Sequence, residues 1–202
     1  LQQLGINRRG SRRGMARQRS SGSVRIVGGQ WRGRRLPVVD APGLRPSGDR
    51  VRETLFNWLQ GVVEGARCAD LFAGTGALGF EAASRGAREV VLVERAPRVA
   101  AQLEQSAAML GAGQVKVING DALAWLGHRP AASLDLVFID PPFDSDLAGQ
   151  ALEAISASAC LSDGALVYVE ALADADPGPH AGFAESRNKR IGDVRMRLLA
   201  LC

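Results

Sequence analysis

Short apolar runs that end near glycines or acidic residues recur along the chain and predict a series of buried strands. Four of them cover residues 68–72, 90–93, 115–118 and 136–139. Residues 77–84, which follow the first run, are predicted to form the start of a helix packed on a sheet. Strands that alternate with helices in this way indicate a mostly parallel sheet.

The later part of the chain completes the pattern. We predict a helix over 146–156, a fifth strand over 164–170 and a Pro/Gly/Asp-rich loop over 174–182. Two further segments, 183–189 and 192–201, then predict a closing antiparallel pair. Together these elements predict an α/β fold, a three-layer sandwich around a mostly parallel seven-stranded sheet.

The residues before the sheet predict a small β-hairpin extension. It runs over 24–39 with a turn at Gly28-Gly29, and its exposed basic residues are Arg25, Arg32, Arg34 and Arg35. Trp31 could stack on a nucleic-acid base or cover the edge of the domain, and we favour the second interpretation.

A loop over 42–49 then leads into a helix, for which Ser47 or Asp49 could provide the N-cap. Arg50, Arg52 and Glu53 lie on its first turns. These side chains could form a charge network within the helix, or they could face a ligand pocket.

The glycine-rich loop over 70–79 carries the first candidate chemistry. Gly74, Gly76 and Gly79 allow a tight turn and let a ligand approach the backbone at a helix N-terminus. Their spacing also satisfies the dinucleotide-binding pattern of dehydrogenases, so the spacing alone does not choose the cofactor.

Acidic residues at successive strand ends favour S-adenosylmethionine (SAM) over a nicotinamide cofactor. Asp70 lies where a pyrophosphate would be repelled and the ammonium of a methionine group would be attracted. Glu94 could accept the two ribose hydroxyls, and Asp121 could accept the adenine amino group. We therefore predict one ligand-facing edge of the sheet.

The second candidate site is the loop Asp140-Pro141-Pro142-Phe143, which suits methylation of an exocyclic amine on a nucleobase. The lone pair of such an amine is delocalised into the ring, so a catalyst must hold its N–H groups. Asp140 and the carbonyl of Pro141 can accept them, and the prolines stiffen the loop. Phe143 offers a flat face for the base. Taken alone, the four residues are also compatible with an ordinary strand-to-turn transition.

These segments resemble the RsmD family, the small-subunit ribosomal RNA guanine-N2 methyltransferases. The resemblance runs through RIVGGQWRGRRLP at 25–37 and RPSGDRVRETLFNW at 45–58 to the glycine loop and the DPPF loop, about residues 24–145. The two N-terminal segments are specific to this family, whereas the two loops occur in many SAM enzymes. The family usually has a second hydroxyl residue where this chain has Gly48.

The resemblance implies a Rossmann-like class I SAM-dependent methyltransferase and direct, in-line methyl transfer. It implies base recognition by Asp140, Pro141, Pro142 and Phe143, with Asp140 orienting the amine. It implies SAM contacts from residues of the glycine loop, the strand ends and the first helix, namely Asp70, Phe72, Ala73, Gly74, Gly76, Gly79, Glu94, Arg95, Asp121, Ala122, Arg50 and Glu53. The implied substrate is a guanine of 16S rRNA in an assembled or partly assembled small subunit, and the implied state is a monomer.

Charge is unevenly distributed along the chain. Residues 1–52 hold 13 arginines and 2 acids, whereas residues 53–202 hold 12 basic and 19 acidic residues, so net charges of +11 and −7 give the +4 of the whole. Because arginine pairs with phosphate and stacks on bases, the basic part predicts an RNA-holding arm. Its candidate RNA contacts are Arg25, Arg32, Arg34, Arg35 and Arg45.

We predict three parts: a basic, disordered tail over 1–22 with Met15 as a native start, an RNA-binding hairpin over 23–45, and a methyltransferase domain over 46–202. No apolar run approaches the roughly 20 residues that cross a bilayer, and the start lacks the apolar region of a signal peptide. Three separated cysteines and two histidines predict no metal site. We expect a cytosolic protein without a membrane partner.

Other functions remain open at the level of sequence. An adenine-N6 DNA methyltransferase would use the same DPPF chemistry, and a dehydrogenase would bind NAD at the glycine loop. A noncatalytic RNA-binding assembly factor would keep the basic arm and could tolerate loss of Asp140.

Overall fold

A computed structural model describes residues 22–39, 48–143, 145–175 and 182–202. The predicted basic tail up to residue 21 and Arg45 lie outside these ranges. The strands are β1 (Ser23–Arg25), β2 (Arg35–Pro37), β3 (Arg67–Asp70), β4 (Glu89–Glu94), β5 (Val115–Asn119), β6 (Leu134–Ile139), β7 (Leu161–Leu172), β8 (Phe183–Ile191) and β9 (Val194–Leu201). The helices are α1 (Asp49–Trp58), α2 (Ala77–Ser84), α3 (Pro97–Leu110), α4 (Ala122–Leu126) and α5 (Leu147–Ser158).

Strands β3 to β9 form one seven-stranded sheet in the order β5-β4-β3-β6-β7-β9-β8. The five strands from β3 to β7 are parallel, and β9 pairs antiparallel with both β7 and β8. Separate hydrophobic clusters cover the two faces. One contains α1, α2, α3 and the N-terminal hairpin, and the other contains α4 and α5. The predicted three-layer sandwich is therefore confirmed.

The N-terminal hairpin is confirmed, but its strands are shorter than predicted. Only three residues of each strand pair, with Val24 opposite Leu36. The chain reverses through a longer connection than the predicted Gly28-Gly29 turn, because these glycines lie against α2 instead. A Cβ atom on Gly29, whose φ is +75°, would lie 1.9 Å from the carbonyl oxygen of Ser84. Trp31 packs against the hydrophobic cluster of this face, as the favoured interpretation predicts.

Helix α1 begins at Asp49 with Gly48 in the N-cap position and has no side-chain cap. The prediction that Asp49 provides the cap is wrong, and Ser47 lies outside the described ranges. The carboxylate of Asp49 is instead shared by two arginines, with Arg25 Nη2 at 2.7 Å and Arg52 Nη2 at 2.6 Å. Tertiary ion pairing has replaced local capping here.

A buried ion pair fastens the hairpin to the sheet domain. Arg52 and Glu81 are almost wholly buried, and Arg52 Nη1 lies 3.5 Å from Glu81 Oε2. Arg52 also donates to the carbonyl of Arg25 at 2.7 Å, and Glu81 accepts the backbone N–H of Val27 at 2.8 Å. The second oxygen of Glu81 accepts Arg85 Nε at 2.8 Å. We call Arg52 and Glu81 the hairpin clamp, because each side chain bonds the hairpin backbone from a different helix.

Glu81→Ala is expected to destabilise the protein by about 1–3 kcal/mol, since the backbone N–H of Val27 loses its acceptor and Arg52 keeps only Asp49 as an acidic neighbour among the described residues. It should also speed hydrogen exchange at the amide of Val27, which loses its acceptor. Chemical denaturation and native-state exchange measure the two effects. Glu153→Ala, on the exposed face of α5, is the control and should shift stability by less than about 0.5 kcal/mol. Unchanged exchange at Val27 would contradict the clamp.

Candidate active site

The predicted ligand-facing edge lies where β3, β4 and β6 end. Asp70, the last residue of β3, pairs with Leu92 of β4 on one side and Phe138 of β6 on the other. Glu94 and Asp140 follow two residues later on these neighbouring strands. Both carboxylates are close enough to raise the pKa of Asp70. The structure therefore brings together three acidic residues that the sequence placed at separate strand ends.

The glycine loop is a tight turn that leaves no room for side chains. Gly76 precedes α2 with φ +74°, and a Cβ atom there would lie 2.5 Å from the ring of Phe80. Its N–H donates to the carbonyl of Ala73 at 2.6 Å, while Ala73 donates to Val93 at 3.0 Å. The loop is thereby joined to the end of β4.

Gly79 allows α2 to pack directly on the sheet. A Cβ atom at this position would lie 2.1 Å from Leu92 Cδ2 and 3.3 Å from Asp70 Oδ2. Its N–H donates to Asp70 Oδ2 at 3.0 Å. The glycine thus serves helix packing and the placement of the carboxylate together.

Asp70 is a buried acid of this edge with a strongly shifted pKa. Burial is the main cause, and together with the charges of Asp140 and Glu94 it raises the pKa of the carboxyl from 3.8 to about 7, against the opposing effect of the Gly79 N–H. A buried carboxylate in acidic surroundings favours a cationic ligand, because a nearby positive charge would restore its ionised form. Within the described ranges, no group of three or more His, Cys, Asp or Glu residues is arranged to hold a metal ion.

The pKa of Asp70 predicts how folding stability depends on pH without ligand. Because that pKa is raised, the stability gained from the bound proton is fully present below about pH 4 and is lost as pH rises through 7. Asp70→Asn cannot ionise and keeps an acceptor for Gly79. The free energy of unfolding of the variant, relative to that of wild type, should therefore increase from pH 5 to pH 8, by about 4 kcal/mol at most. Urea denaturation at both pH values measures this difference, and a constant difference would contradict the assignment.

Glu94 and Asp121 each carry a structural role that sequence reasoning missed. Glu94 Oε2 accepts the N–H of Gly74 at 2.9 Å, and Oε1 accepts that of Ala96 at 2.7 Å. Asp121 is the N-cap of α4 and accepts the N–H of Ala124 at 2.9 Å. A carboxylate offers about four lone-pair sites, so these bonds leave acceptor capacity on both residues. The signal for the second role was an acid immediately before a helix.

The DPPF loop leaves β6 at the centre of the sheet. Asp140 and Phe143 are half-buried, Pro141 is buried and Pro142 is exposed. The carbonyl of Pro142 accepts the N–H and the hydroxyl of Ser145, at 3.2 and 2.6 Å. These two bonds fasten the end of the DPPF loop to Ser145.

Tyr168 and Glu170 form a polar pair beside this loop that the sequence did not single out. They lie on β7 next to β6, and the Tyr168 hydroxyl donates to Glu170 Oε2 at 2.8 Å. Burial, Glu170 and Asp140 all raise the pKa of Tyr168. Two polar residues in an otherwise apolar strand were the available signal.

The remaining predicted cofactor residues differ in exposure. Phe72 is half-buried against the hydrophobic cluster of the α4 and α5 face, and Ala122 is buried at the start of α4. Arg95 is exposed after β4. Arg50 and Glu53 are exposed on α1, whereas Arg52 belongs to the hairpin clamp. The intrahelical ion pair of α1 joins Arg52 to Asp49 rather than to Glu53, so it differs from the network that the sequence allowed among Arg50, Arg52 and Glu53.

Four of the five predicted RNA-binding arginines lie on the N-terminal hairpin and are exposed. Arg32 and Arg34 are exposed, and Arg35 donates to the hydroxyl of Ser23 at 3.1 Å. Arg25 is half-exposed but engaged with Asp49. The guanidinium groups of Arg32 and Arg34 are therefore more available to bind RNA phosphates than those of Arg25 and Arg35.

Comparison with known proteins identifies the family. A family model described as Conserved hypothetical protein 95 matches residues 24–200. The chain belongs to this family. The match confirms the RsmD resemblance, and it extends beyond residue 145 to the end of the sheet.

Curated relatives and solved structures agree over nearly the whole chain. Ribosomal RNA small subunit methyltransferase D of Escherichia coli (strain K12) is 46% identical over 179 residues, 88% of this chain and 90% of the relative. The Haemophilus influenzae protein of the same name is 42% identical over 182 residues, covering 89% and 94%. A solved structure of the Escherichia coli yhhF protein has a TM-score of 0.81 at 42% identity, covering 89% of this chain and 98% of the other.

The helices of the described ranges are short. The longest of them, α3, has 14 residues, and none has both the length and the hydropathy of a membrane-crossing segment.

Proposed function

We propose that this protein is a SAM-dependent methyltransferase that modifies the exocyclic N2 of a guanine in 16S rRNA. The observation that carries the proposal is the adjacency of β3 and β6, which places the glycine loop and the DPPF loop side by side. The names of the two curated relatives support ribosomal RNA of the small subunit as the substrate class.

The residues of the site suit SAM. Asp70 offers a buried carboxylate to the methionine ammonium, and Gly76 and Gly79 allow the tight turn and the close packing of α2 that place this carboxylate beside the loop. Glu94 and Asp121 retain acceptor capacity for the ribose hydroxyls and the adenine amino group. The same Asp70 would repel the pyrophosphate of NAD, which argues against the dehydrogenase alternative. When bound, SAM supplies an electrophilic methyl group.

The DPPF loop supplies the acceptors that the amine requires. Asp140 and the Pro141 carbonyl hold the two N–H groups of N2, so the nitrogen presents its lone pair to the methyl group. Phe143 stacks on the base and fixes its plane. As the new N–C bond forms, the S–CH3 bond of SAM would break and S-adenosylhomocysteine would leave. The carboxylate of Asp140 would stabilise the positive charge that develops on nitrogen, and loss of one N2 proton to solvent would then give the neutral product. Positioning of the two reactants supplies most of the rate.

The context of the reaction also belongs to this proposal. The substrate is a guanine presented by an assembled or partly assembled small subunit, and the protein acts as a monomer in the cytoplasm. The basic hairpin supports an RNA substrate, since the clamp fastens its arginines to the methyltransferase domain.

The test is transfer of label from methyl-labelled SAM to three substrates: small subunits without native methylation, naked 16S rRNA and duplex DNA. Digestion and chromatography identify the labelled nucleoside. The proposal predicts N2-methylguanosine from the subunits or the rRNA. Label in N6-methyladenine would contradict the substrate, and SAM binding without any transfer would indicate a noncatalytic RNA-binding factor.

A further inference from the structure

Strand β8 is an edge strand of the sheet, and it differs from the rest of the methyltransferase domain in burial and in charge. Residues 184–190 are all exposed, so neither face of the strand is covered. Residues 53–182 hold 7 basic and 17 acidic residues, whereas residues 183–202 hold 5 basic and 2 acidic ones. The net charge therefore changes from −10 to +3 at the final hairpin.

Three of these basic residues have no acidic counterpart within the described ranges, and one of them, Arg195, donates to the carbonyl of Ala173 at 3.1 Å. Arg197 pairs with Glu185, and Arg190 pairs with Asp174 at 3.2 Å. Arg187 and Lys189 are exposed and lack such a pair among the described residues. We call Arg187 and Lys189 the β8 basic pair.

The register of the sheet aligns the β8 basic pair with the DPPF loop. Ile139, the residue before Asp140, pairs with Val169 of β7, which pairs with Arg197 of β9. One row further along, Glu170 pairs with Met196, and Met196 pairs with Lys189. Lys189 thus lies in the row just beyond that of Ile139, and Asp140 is the residue that follows Ile139 on the side of β6. Three strand spacings separate β6 from β8, roughly 14 Å.

The β8 basic pair also lies on the face of the sheet that carries the N-terminal hairpin. Residues that pair across strands project to the same face. Arg187 pairs with Leu198 and Lys189 pairs with Met196, and both partners belong to the hydrophobic cluster that includes Ile26 of the hairpin.

We propose that the β8 basic pair binds the phosphate backbone of the RNA substrate, so that the substrate is held at this strand as well as at the N-terminal hairpin. The inference rests on the function proposed above. Charge complementarity favours this partner, because basic side chains without an acidic partner among the described residues, on an otherwise acidic domain, attract a polyanion. Protection of an exposed edge explains charged side chains but not the excess of three basic residues over one acidic residue on β8, since acidic residues would protect it equally well.

The test compares Arg187→Gln/Lys189→Gln with a control that loses the same charge, Arg88→Gln/Lys116→Gln. The control residues are exposed and lie near the amino ends of β4 and β5, away from the DPPF loop. Binding to naked 16S rRNA is measured over a range of salt concentrations, together with SAM affinity, melting temperature and kcat and KM on subunits.

The β8 variant should bind rRNA about tenfold more weakly near 0.15 M salt, with a salt slope smaller by about 1.4 to 1.8. Its KM should rise while kcat, SAM affinity and melting temperature stay at the wild-type values, and the control should bind like wild type. Equal rRNA binding by the β8 variant and the control variant would overturn the inference. The proposed function would still stand in that case if the wild-type protein forms N2-methylguanosine. A loss seen on subunits but not on naked rRNA would indicate a protein partner and also overturn it. Absence of N2-methylguanosine with wild type would instead refute the proposed function, and the inference with it.

Discussion

Asp140→Ala is expected to reduce methyl transfer by at least about 10²–10³-fold while leaving SAM affinity nearly unchanged. The carboxylate holds one N–H of the amine and stabilises the charge that develops on nitrogen, and loss of one such transition-state contact costs this much. Asp140→Asn should lose activity too, because its amide bears a smaller negative charge and introduces a donor. Single-turnover transfer and calorimetric SAM titration measure the two effects separately.

Asp146→Ala provides the matched control for Asp140. Asp146 is an exposed aspartate at the start of α5, six residues further along, and its side chain makes no capping hydrogen bond. Its replacement should leave both transfer and SAM affinity close to wild type. Loss of SAM binding in Asp140→Ala, with transfer restored at saturating SAM, would show that Asp140 serves the cofactor rather than the base.

SAM affinity is expected to rise about tenfold for each pH unit between pH 5 and about pH 7. In the ligand-free protein the pKa of Asp70 is raised to about 7, so most molecules carry a proton there at lower pH. A cationic ammonium favours the ionised carboxylate, and binding below pH 7 must therefore release that proton. Titration in two buffers of different ionisation enthalpy counts the released protons directly.

Asp70→Asn separates this effect from general changes of the protein with pH. The variant should bind SAM about 10- to 100-fold more weakly than wild type at pH 8, since a charged hydrogen bond is replaced by a neutral one. Its affinity should be independent of pH between 5 and 7. The same pH dependence in wild type and variant would assign the titration to another group and contradict the role of Asp70.

Much of the fold could be predicted because its strongest elements are locally encoded. Helix α2 begins at Ala77, where the sequence predicts the start of a helix, since small apolar residues and Gly79 fit a helix packed against a sheet. The strand ends at Asp70, Glu94 and Asp140 could be predicted from the sequence for the same reason. Apolar runs closed by acids are a local signal, and parallel pairing then brings those ends to one edge.

The features that could not be predicted depend on partners distant in sequence. Glu81 lies 29 residues after Arg52 and 54 residues after Val27, and no local pattern distinguishes it from an ordinary solvated helix acid. The prediction that Asp49 caps α1 was wrong for a related reason, because the carboxylate of Asp49 bonds the distant Arg25 instead of the helix backbone. Tertiary ion pairs override local preferences in both cases.

A crystal structure with S-adenosylhomocysteine, the demethylated product of SAM, tests most directly whether one edge of the sheet holds both reactants. The account predicts the ligand ammonium at Asp70, the ribose hydroxyls at Glu94, and the sulfur facing the DPPF loop with Asp140 and Phe143 beyond it. A ligand bound away from the glycine loop, or a sulfur turned away from Asp140, would contradict the account.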